Sequence, residues 1–277
     1  MKAATVSTFI ASRFGLDGGA MFGALPKSLW QRRIVPDEKN RIPLVARLMC
    51  VAIGDHCLLV DAGMGTFWSE KLADIYALSD NQRALQEEFP NLSTIVLTHL
   101  HLDHAGGVTT ANEAGEAVAA VSGLEFVVSR AQKKYVQSPS VREAGSYRDC
   151  DQQIIFNAEQ FGNTLRLVDD GEEVTPGVTV HQVNGHTEGM LWVKAVCDGT
   201  TYAFMSDLVP TSHHLHVPDV MGYDICPRTT VDEKQRVLSQ AADEGWILVF
   251  PHDPDIAACT ICRDDRNRFA VDQVVDI

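Results

Sequence analysis

The sequence predicts an α+β fold in which two β-sheets pack face to face with helices outside. Short apolar runs of strand type alternate with helical patterns along the 277 residues. Their order is a strand-rich part, several helices, a second strand-rich part, and then a helix and a strand, which is typical of this layered class. No repeat, low-complexity tract or long linker divides the chain, so we expect one domain over residues 1–277.

In the first half, turn and breaker residues separate the predicted elements. Gly54-Asp55 fits a tight hairpin turn between two strands, and Pro90 ends a helix. The predicted strands are Val6–Ile10, Leu44–Ile53, Cys57–Val60, Thr94–Leu97 and Phe126–Ser129, and the predicted helices are Phe67–Tyr76, Asn81–Phe89 and one that follows Ser129 to about Val136.

The second half repeats the strand-rich pattern and adds one long amphipathic helix. That helix, Thr230–Glu244, places Val237, Leu238 and Ala241 on one apolar side. Residues 138–163 are polar and partly helical, which suggests a cap-like insertion over one face. The predicted strands are Leu165–Val168, Val178–Val183, Leu191–Val196, Tyr202–Met205 and Ile247–Phe250.

The charge balance excludes some partners. The formal net charge is −14, from 37 acidic and 23 basic residues. Such a surface repels phosphate backbones, so we expect no general binding to nucleic acid. The N-terminus lacks a basic start with a long apolar run, and no 18-residue apolar stretch is present. We therefore expect a cytoplasmic protein that does not enter a membrane; the oligomeric state stays open, with a homodimer as one alternative.

The seven cysteines do not predict a disulfide framework, because their number is odd and their spacing irregular. Several lie in apolar runs, where cysteine acts as a small hydrophobic residue. Cys259 and Cys262 form a single CxxC, which without a second pair is a weak signal for zinc or redox chemistry.

The strongest motif is a run of three histidines and one aspartate within six residues: His99, His101, Asp103 and His104. The run directly follows the predicted strand Thr94–Leu97. Alternate side chains of an extended segment share a face, so His99 and His101 can converge on one ion. Asp103 and His104 fall on the following turn and can face a second ion. A surface loop would give three clustered imidazoles no role, so the run indicates a metal site.

Further ligand types follow three other predicted strands. His186 comes after Val178–Val183, Asp207 comes after Tyr202–Met205, and His252 comes after the last strand. Polar residues placed just past buried strands gather at one rim of a sandwich. Each alone could be a capping or surface residue, but together they supply the ligands that the first cluster lacks.

This pattern resembles the metallo-β-lactamase superfamily, and the match extends back to the LLVDAG segment at 58–63. The resemblance implies an αββα sandwich with two divalent metal ions at one edge. Zinc is the expected metal, with Mn, Fe or Co as alternatives. By resemblance, one ion would be held by His99, His101 and His186, and the other by Asp103, His104 and His252, with Asp207 bridging both and Asp61 orienting a ligand histidine.

Within the superfamily, the ligand set, the length and the segment GGAMFGALPKSLW are most similar to quorum-quenching lactonases and methyl-parathion-type hydrolases. Class B β-lactamases usually carry Cys where Asp207 stands. Glyoxalase II branches use basic residues near the C-terminus, which here are interleaved with Asp264 and Asp265. One departure is Pro210, where many acyl-homoserine-lactone lactonases place a tyrosine.

The resemblance implies a hydrolase that opens a lactone or cleaves a carboxylic ester of a small molecule. Metal binding lowers the pKa of a shared water from about 15.7 toward 7, and the bridging hydroxide attacks the carbonyl. Asp207 would hold both ions, and Asp103 is placed to shuttle a proton. The alternatives are a phosphotriesterase or β-lactamase-like hydrolase, and a non-hydrolytic metal-binding or redox protein. Redox branches usually carry Glu at the second motif histidine, so His101 favours hydrolysis.

The loop after the bridging aspartate carries further histidines, in the sequence PTSHHLHV. We expect His213 or His214 to face the substrate where related lactonases use tyrosine; a solvated loop is the alternative. His56 is expected to be exposed beside a hairpin turn, and His181 to be a structural histidine within a strand.

Overall fold

The computed structural model describes residues 4–79 and 85–277. The α-helices are α1 Gly18–Phe22, α2 Lys27–Trp30, α3 Glu70–Ile75, α4 Leu85–Glu88, α5 Leu102–Ala105, α6 Arg130–Tyr135, α7 Asp149–Phe156 and α8 Pro227–Glu244. The strands are β1 Ala4–Asp17, β2 Arg41–Ile53, β3 His56–Val60, β4 Leu92–Leu97, β5 Thr109–Ala111, β6 Ala117–Ala119, β7 Glu125–Ser129, β8 Thr164–Val168, β9 Glu173–Thr175, β10 Val178–Val183, β11 Met190–Cys197, β12 Thr200–Phe204, β13 Ile247–Val249, β14 Ala258–Arg263 and β15 Phe269–Val274.

The first sheet has six strands in the order β1-β2-β3-β4-β7-β8. The hairpin β2–β3 turns at Gly54, which has a φ of 60°, as the sequence predicted. From β3 to β8 the neighbouring strands run parallel. Their carboxyl ends therefore lie at one edge of the sheet, and residues that follow β3 and β4 come together there.

The second sheet has seven strands in the order β15-β14-β13-β12-β11-β10-β9. It is antiparallel except for the pair β12–β13. Because β10, β12 and β13 run in the same direction, their carboxyl ends share an edge. The sequence did not predict β14 and β15, since polar residues interrupt the apolar residues of both strands.

The two sheets pack face to face through a core of aliphatic side chains. Met49, Val60 and Val96 from the first sheet belong to the same buried cluster as Val193 and Phe204 from the second. Both faces of β4 are apolar, as expected for a parallel strand covered on both sides. The observed layers confirm the predicted α+β sandwich.

Helices cover the outer faces. Val237, Leu238 and Ala241 of α8 pack on the second sheet, as its pattern predicted. On the first sheet, Tyr147 and Ile155 belong to the buried core, although they lie in the segment expected to be a cap. Residues 138–163 therefore contribute apolar side chains to this core, and some of their polar side chains, Glu143 and Asp151 among them, are buried too.

Several element boundaries differ from expectation. The first strand runs to Asp17, well beyond the predicted Val6–Ile10, and pairs with β2 along its whole length apart from one irregularity. The predicted helix Asn81–Phe89 lies partly outside the described residues, and its described part forms α4. Among the residues that the structure describes, no helix is long and apolar enough to cross a membrane.

Candidate metal centre

The HxHxDH run lies at the carboxyl edge of the first sheet. It follows β4, and α5 begins at Leu102 with His101 as its N-cap. The helix turns back beside the loop after β3, where a Cβ on Gly107 would lie 1.9 Å from the Ala62 carbonyl oxygen. Glycine is required there for this close approach.

The second sheet contributes the remaining side chains at its matching edge. His186 follows β10, Asp207 lies in the 3-10 turn Ser206–Leu208 after β12, and His252 follows β13. The backbone N–H of His252 donates to the Pro210 carbonyl. Strand direction therefore brings together residues that are far apart in the sequence.

The structure brings all seven predicted ligands together in two groups. Within each group the ligating atoms lie within 4.8 Å of one another, and every member except Asp103 is buried. The first group is His99, His101 and His186, and the second is Asp103, His104, Asp207 and His252.

Asp207 faces both groups with separate oxygen atoms. Its Oδ2 lies 3.2 Å from His186 Nε2 and 3.9 Å from His99 Nε2. Its Oδ1 lies 3.0 Å from His252 Nε2 and 3.3 Å from His104 Nε2. This is the placement that a bridging carboxylate requires.

The protonation pattern of the imidazoles fits cations. His104 Nδ1 donates to Asp61 Oδ2 at 2.7 Å, and His252 Nδ1 donates to the Val45 carbonyl at 2.9 Å. When both rings are neutral, as metal ligands must be, the Nε2 atoms carry lone pairs, and these two atoms lie 3.1 Å apart. In the metal-free chain the neighbouring carboxylates raise the pKa of His104, so that this ring holds a proton where a metal ion would bind. Asp207 Oδ1, another acceptor, points at the two Nε2 atoms without a hydrogen-bond partner in the described chain. Facing acceptors without hydrogens are stabilised by a cation, so the residues fit a divalent metal.

The pKa values of the metal-free chain reflect the same crowding. Burial, together with His104 and His101, lowers the pKa of His99 well below its usual range. Burial would also lower the pKa of His104, but Asp207, Asp103 and Asp61 raise it well above that range. Burial would raise the pKa of Asp207, but the surrounding histidines hold it well below. The carboxylate is therefore ionised, as a metal ligand must be.

Partners outside the ligand groups fix the orientation of the histidine rings. Asp61, predicted for this role, also accepts from the backbone N–H and the hydroxyl of Thr98. His99 Nδ1 lies 3.2 Å from the same Thr98 hydroxyl. Two further partners were not predicted: Asp224 accepts from His186 Nδ1 at 2.9 Å, and Glu143 accepts from His101 Nε2 at 3.0 Å.

The loop that carries Asp224 is anchored by buried charges. Lys234 of α8 donates to the Asp219 carbonyl at 2.7 Å. Arg33 forms an ion pair of 2.6 Å with the Asp219 carboxylate. These contacts tie residues 216–224 to α8 and to the segment after α2, and Asp224 in this loop meets His186.

A cavity of about 260 Å³ opens onto both ligand groups. Its floor includes His101, His186 and Asp207, and its wall is largely apolar. Arg142 on one side donates to the Gly222 carbonyl on the other. The wall consists of Phe14, Leu16, Met21, Tyr76, Leu102, Arg142, Glu143, Ser146, Met221, Gly222 and Tyr223.

The two histidines predicted to face the substrate do not line this cavity. His214 is fully buried and stacks on Phe22, with 4.7 Å between ring centroids. Its Nδ1 lies 2.8 Å from Thr211 Oγ1 and its Nε2 lies 2.9 Å from the Met21 carbonyl oxygen. The carbonyl of His213 accepts from Arg33. The loop turns inward after Asp207, and this corrects the sequence-based placement.

Other expectations for isolated residues hold. His56 is exposed, and His181 stacks on Trp192 at 4.3 Å within the second sheet. Cys259 is buried while Cys262 is exposed, so the CxxC pair does not converge on a common ligand. No sequence signal marked Glu143 or Asp224, because each lies in a loop without a motif.

Comparisons with known proteins agree with this architecture. A probable metal-dependent hydrolase from Staphylococcus aureus is 24% identical, with a TM-score of 0.83 over 99% of this chain and 100% of that one. The hydrolase AbOPH is 18% identical, with a TM-score of 0.75 over 100% of this chain and 95% of that one. The dizinc quorum-quenching lactonase AidC is 17% identical, with a TM-score of 0.75 over 100% of this chain and 97% of that one.

A search of curated protein sequences gives no significant match. A family model, in contrast, matches residues 48–252, which run from within β2 to His252 and include both ligand groups. With the sandwich and the His/Asp groups already described, this match shows that the chain belongs to the metallo-β-lactamase superfamily.

Proposed function

We propose that the protein is a binuclear metal-dependent hydrolase that opens a lactone or cleaves a carboxylic ester. The observation that carries this proposal is the cavity in which an apolar wall meets two groups of ligands joined by one carboxylate. Two divalent ions would occupy the groups, with zinc preferred and Mn, Fe or Co as alternatives.

Bound divalent ions supply Lewis acidity, which lowers the pKa of water toward 7 and polarises a carbonyl. The chain's own residues do the rest. Asp207 holds both positions at a fixed separation. Asp103 is the one ligand with a partly exposed side chain, at 14%, and it lines the cavity. We assign it the transfer of a proton to the leaving oxygen.

The apolar wall favours a substrate with a hydrocarbon portion. Phe14, Leu16 and Met21 come from β1 and α1, and Met221 faces them from the anchored loop. A site of about 260 Å³ suits a small molecule. The related structure of AidC is described as a complex with a product, an N-acyl-homoserine. An acyl lactone is therefore the first substrate class to test.

The decisive experiment combines metal removal with a substrate panel. We expect the purified protein to hydrolyse an acyl lactone or an aryl ester, to lose this activity on chelation, and to regain it with zinc, manganese or cobalt. The panel includes a phosphotriester and a cephalosporin, which test the alternative hydrolases. Lengthening the acyl chain should raise kcat/KM until the wall is filled.

Hydrolysis that survives complete metal removal would contradict the proposal, because the mechanism uses no side-chain nucleophile. Turnover of only the phosphotriester or the cephalosporin would reassign the substrate. Binding of metal without turnover of any panel member would favour a non-hydrolytic role. A homodimer and a cytoplasmic location stay predictions, which size-exclusion chromatography and fractionation of the source cells can address.

A further inference from the structure

Residues 138–163 bring a buried carboxylate to the first ligand group. Glu143 is 4% exposed, and its Oε2 lies 3.0 Å from His101 Nε2. On the opposite side of the ring, His101 Nδ1 lies 3.1 Å from both His99 Nε2 and His186 Nε2. The nitrogen that faces the other ligands must keep its lone pair for a metal. His101 Nε2 therefore carries the proton and donates it to Glu143.

Two tyrosines hold Glu143 in position. The hydroxyl of Tyr135, at the end of α6, donates to Glu143 Oε1. The hydroxyl of Tyr147 lies 3.1 Å from Glu143 Oε2 and 2.8 Å from Thr187 Oγ1. The Tyr147 ring also packs 4.8 Å from the His101 ring. Glu143 thus belongs to a buried hydrogen-bond network that includes His101 and reaches Thr187, the residue that directly follows the ligand His186.

Glu143 lies in a different kind of segment from most other residues that orient the ligand histidines. Asp61, Val45 and Thr98, which orient other ligand histidines, lie in strands or directly after them. Strand pairing alone fixes those positions. Glu143 instead lies between α6 and α7, in a segment that also places Arg142 and Ser146 on the cavity wall.

We infer that Glu143 is a positioning residue through which residues 138–163 control the first ligand group. It fixes the tautomer and orientation of His101, and so it raises the affinity of the group His99, His101 and His186 for metal. The same hydrogen bonds tie the cavity wall to that group, so that metal binding there orders the wall. The inference rests on metal binding and is independent of which ester is the substrate.

The test measures metal affinity directly in the metal-free protein. In Glu143→Gln, we expect one of two cobalt equivalents to bind about 10- to 100-fold more weakly, as is usual when the outer partner of a metal-binding histidine is mutated. Glutamine can still accept a hydrogen bond, but it lacks the negative charge. The other equivalent should bind as in the wild type. The absorption spectrum of the weakened cobalt site should change, and metal-induced protection of residues 138–147 from hydrogen exchange should fall.

Glu159→Gln is the matched control, since this glutamate is exposed in the same segment. It should retain wild-type affinity, spectrum and protection. If Glu143→Gln does not fold, Tyr147→Phe provides the test, because it keeps the aromatic ring and removes one hydrogen-bond donor to Glu143. The affinity of Tyr147→Phe for one cobalt equivalent should fall several-fold. A folded Glu143→Gln with wild-type affinity for both equivalents overturns the inference, even if its Tm is lower. So does an unchanged Tyr147→Phe.

Discussion

The histidines of the two ligand groups and the histidines of the loop after Asp207 differ in what their ring nitrogens face. In His104 and His252, one nitrogen donates to the protein and the other points at further acceptors. In His214, both nitrogens have protein partners, a hydroxyl and a carbonyl. His214 is as deeply buried as His104 and His252, so burial does not identify a ligand. A ligand histidine is identified instead by a ring nitrogen that carries a lone pair and faces other acceptors rather than a hydrogen-bond donor.

The strongest test of this difference is Asp207→Asn. Among residues 4–79 and 85–277, this is the carboxylate that faces both groups, and its oxygens lie among imidazole nitrogens. We expect kcat/KM on the best ester or lactone to fall by about 1000-fold or more, equivalent to about 4 kcal/mol, with less metal bound. Steady-state kinetics and elemental analysis measure both effects.

Asp265→Asn is the control, because Asp265 is exposed near the C-terminus; it should behave as the wild type. Retention of activity within tenfold in Asp207→Asn would mean that the two groups work without a bridging carboxylate.

A second test changes only the outer partner of a ligand. Asp224→Asn weakens the hydrogen bond to His186 Nδ1, which is 2.9 Å long and fully buried. We expect metal affinity to fall about 10- to 100-fold, as measured by competition with a chromophoric chelator. Asp232→Asn, an exposed change on α8, should leave affinity unchanged. Equal affinities in both variants would show that His186 needs no outer partner.

The third test separates the loop histidines from the centre. His214→Gln removes an imidazole that bonds at both nitrogens, so we expect the free energy of unfolding to fall by about 1–3 kcal/mol. Activity and metal content should stay within about twofold of the wild type, because His214 does not line the cavity. Urea unfolding of the metal-free protein at pH 7 measures the loss. His56→Gln, an exposed change, is the control.

The His214 loss should also depend on pH. Burial, with Lys234 nearby, lowers the pKa of His214 from 6.5 to about 3. The unfolded chain therefore binds a proton below pH 6.5 that the folded chain does not. Between pH 6.5 and 3, the free energy of unfolding of the wild type therefore falls by up to about 1.4 kcal/mol per pH unit. His214→Gln lacks this contribution. The difference in free energy of unfolding between the wild type and His214→Gln should therefore shrink as the pH falls. A large fall in kcat/KM of His214→Gln would instead indicate that His214 contacts the substrate.

The sequence predicted which residues come together at this edge, because most of them follow strands. Each of His99, His186, Asp207 and His252 comes after an apolar run whose strand character is legible, and strand direction then gathers the ends. At these strand ends, the same short stretch of sequence shows both the type of ligand and its place in the fold.

The remaining features depend on loops, whose course no periodic pattern records. Glu143 and Asp224 reach their histidines through irregular segments, and the cavity wall combines β1 with residues near 222. His214 was misplaced for the same reason, since proximity to Asp207 in sequence does not say on which side a loop turns. The strands β14 and β15 were missed because polar residues interrupt both.

The span of the ligand set has a consequence for how the chain assembles during synthesis. The first ligands, at His99 and His101, emerge long before His252, which is placed by the pairing of β13 with β12. A nascent chain can therefore offer only part of the second group until the final sheet closes. Metal held by the full set stabilises only the completed fold. Tight metal retention by a freshly synthesised chain thus reports that both sheets have joined, and a chain truncated before β13 should be cleared by proteases rather than rescued by added zinc.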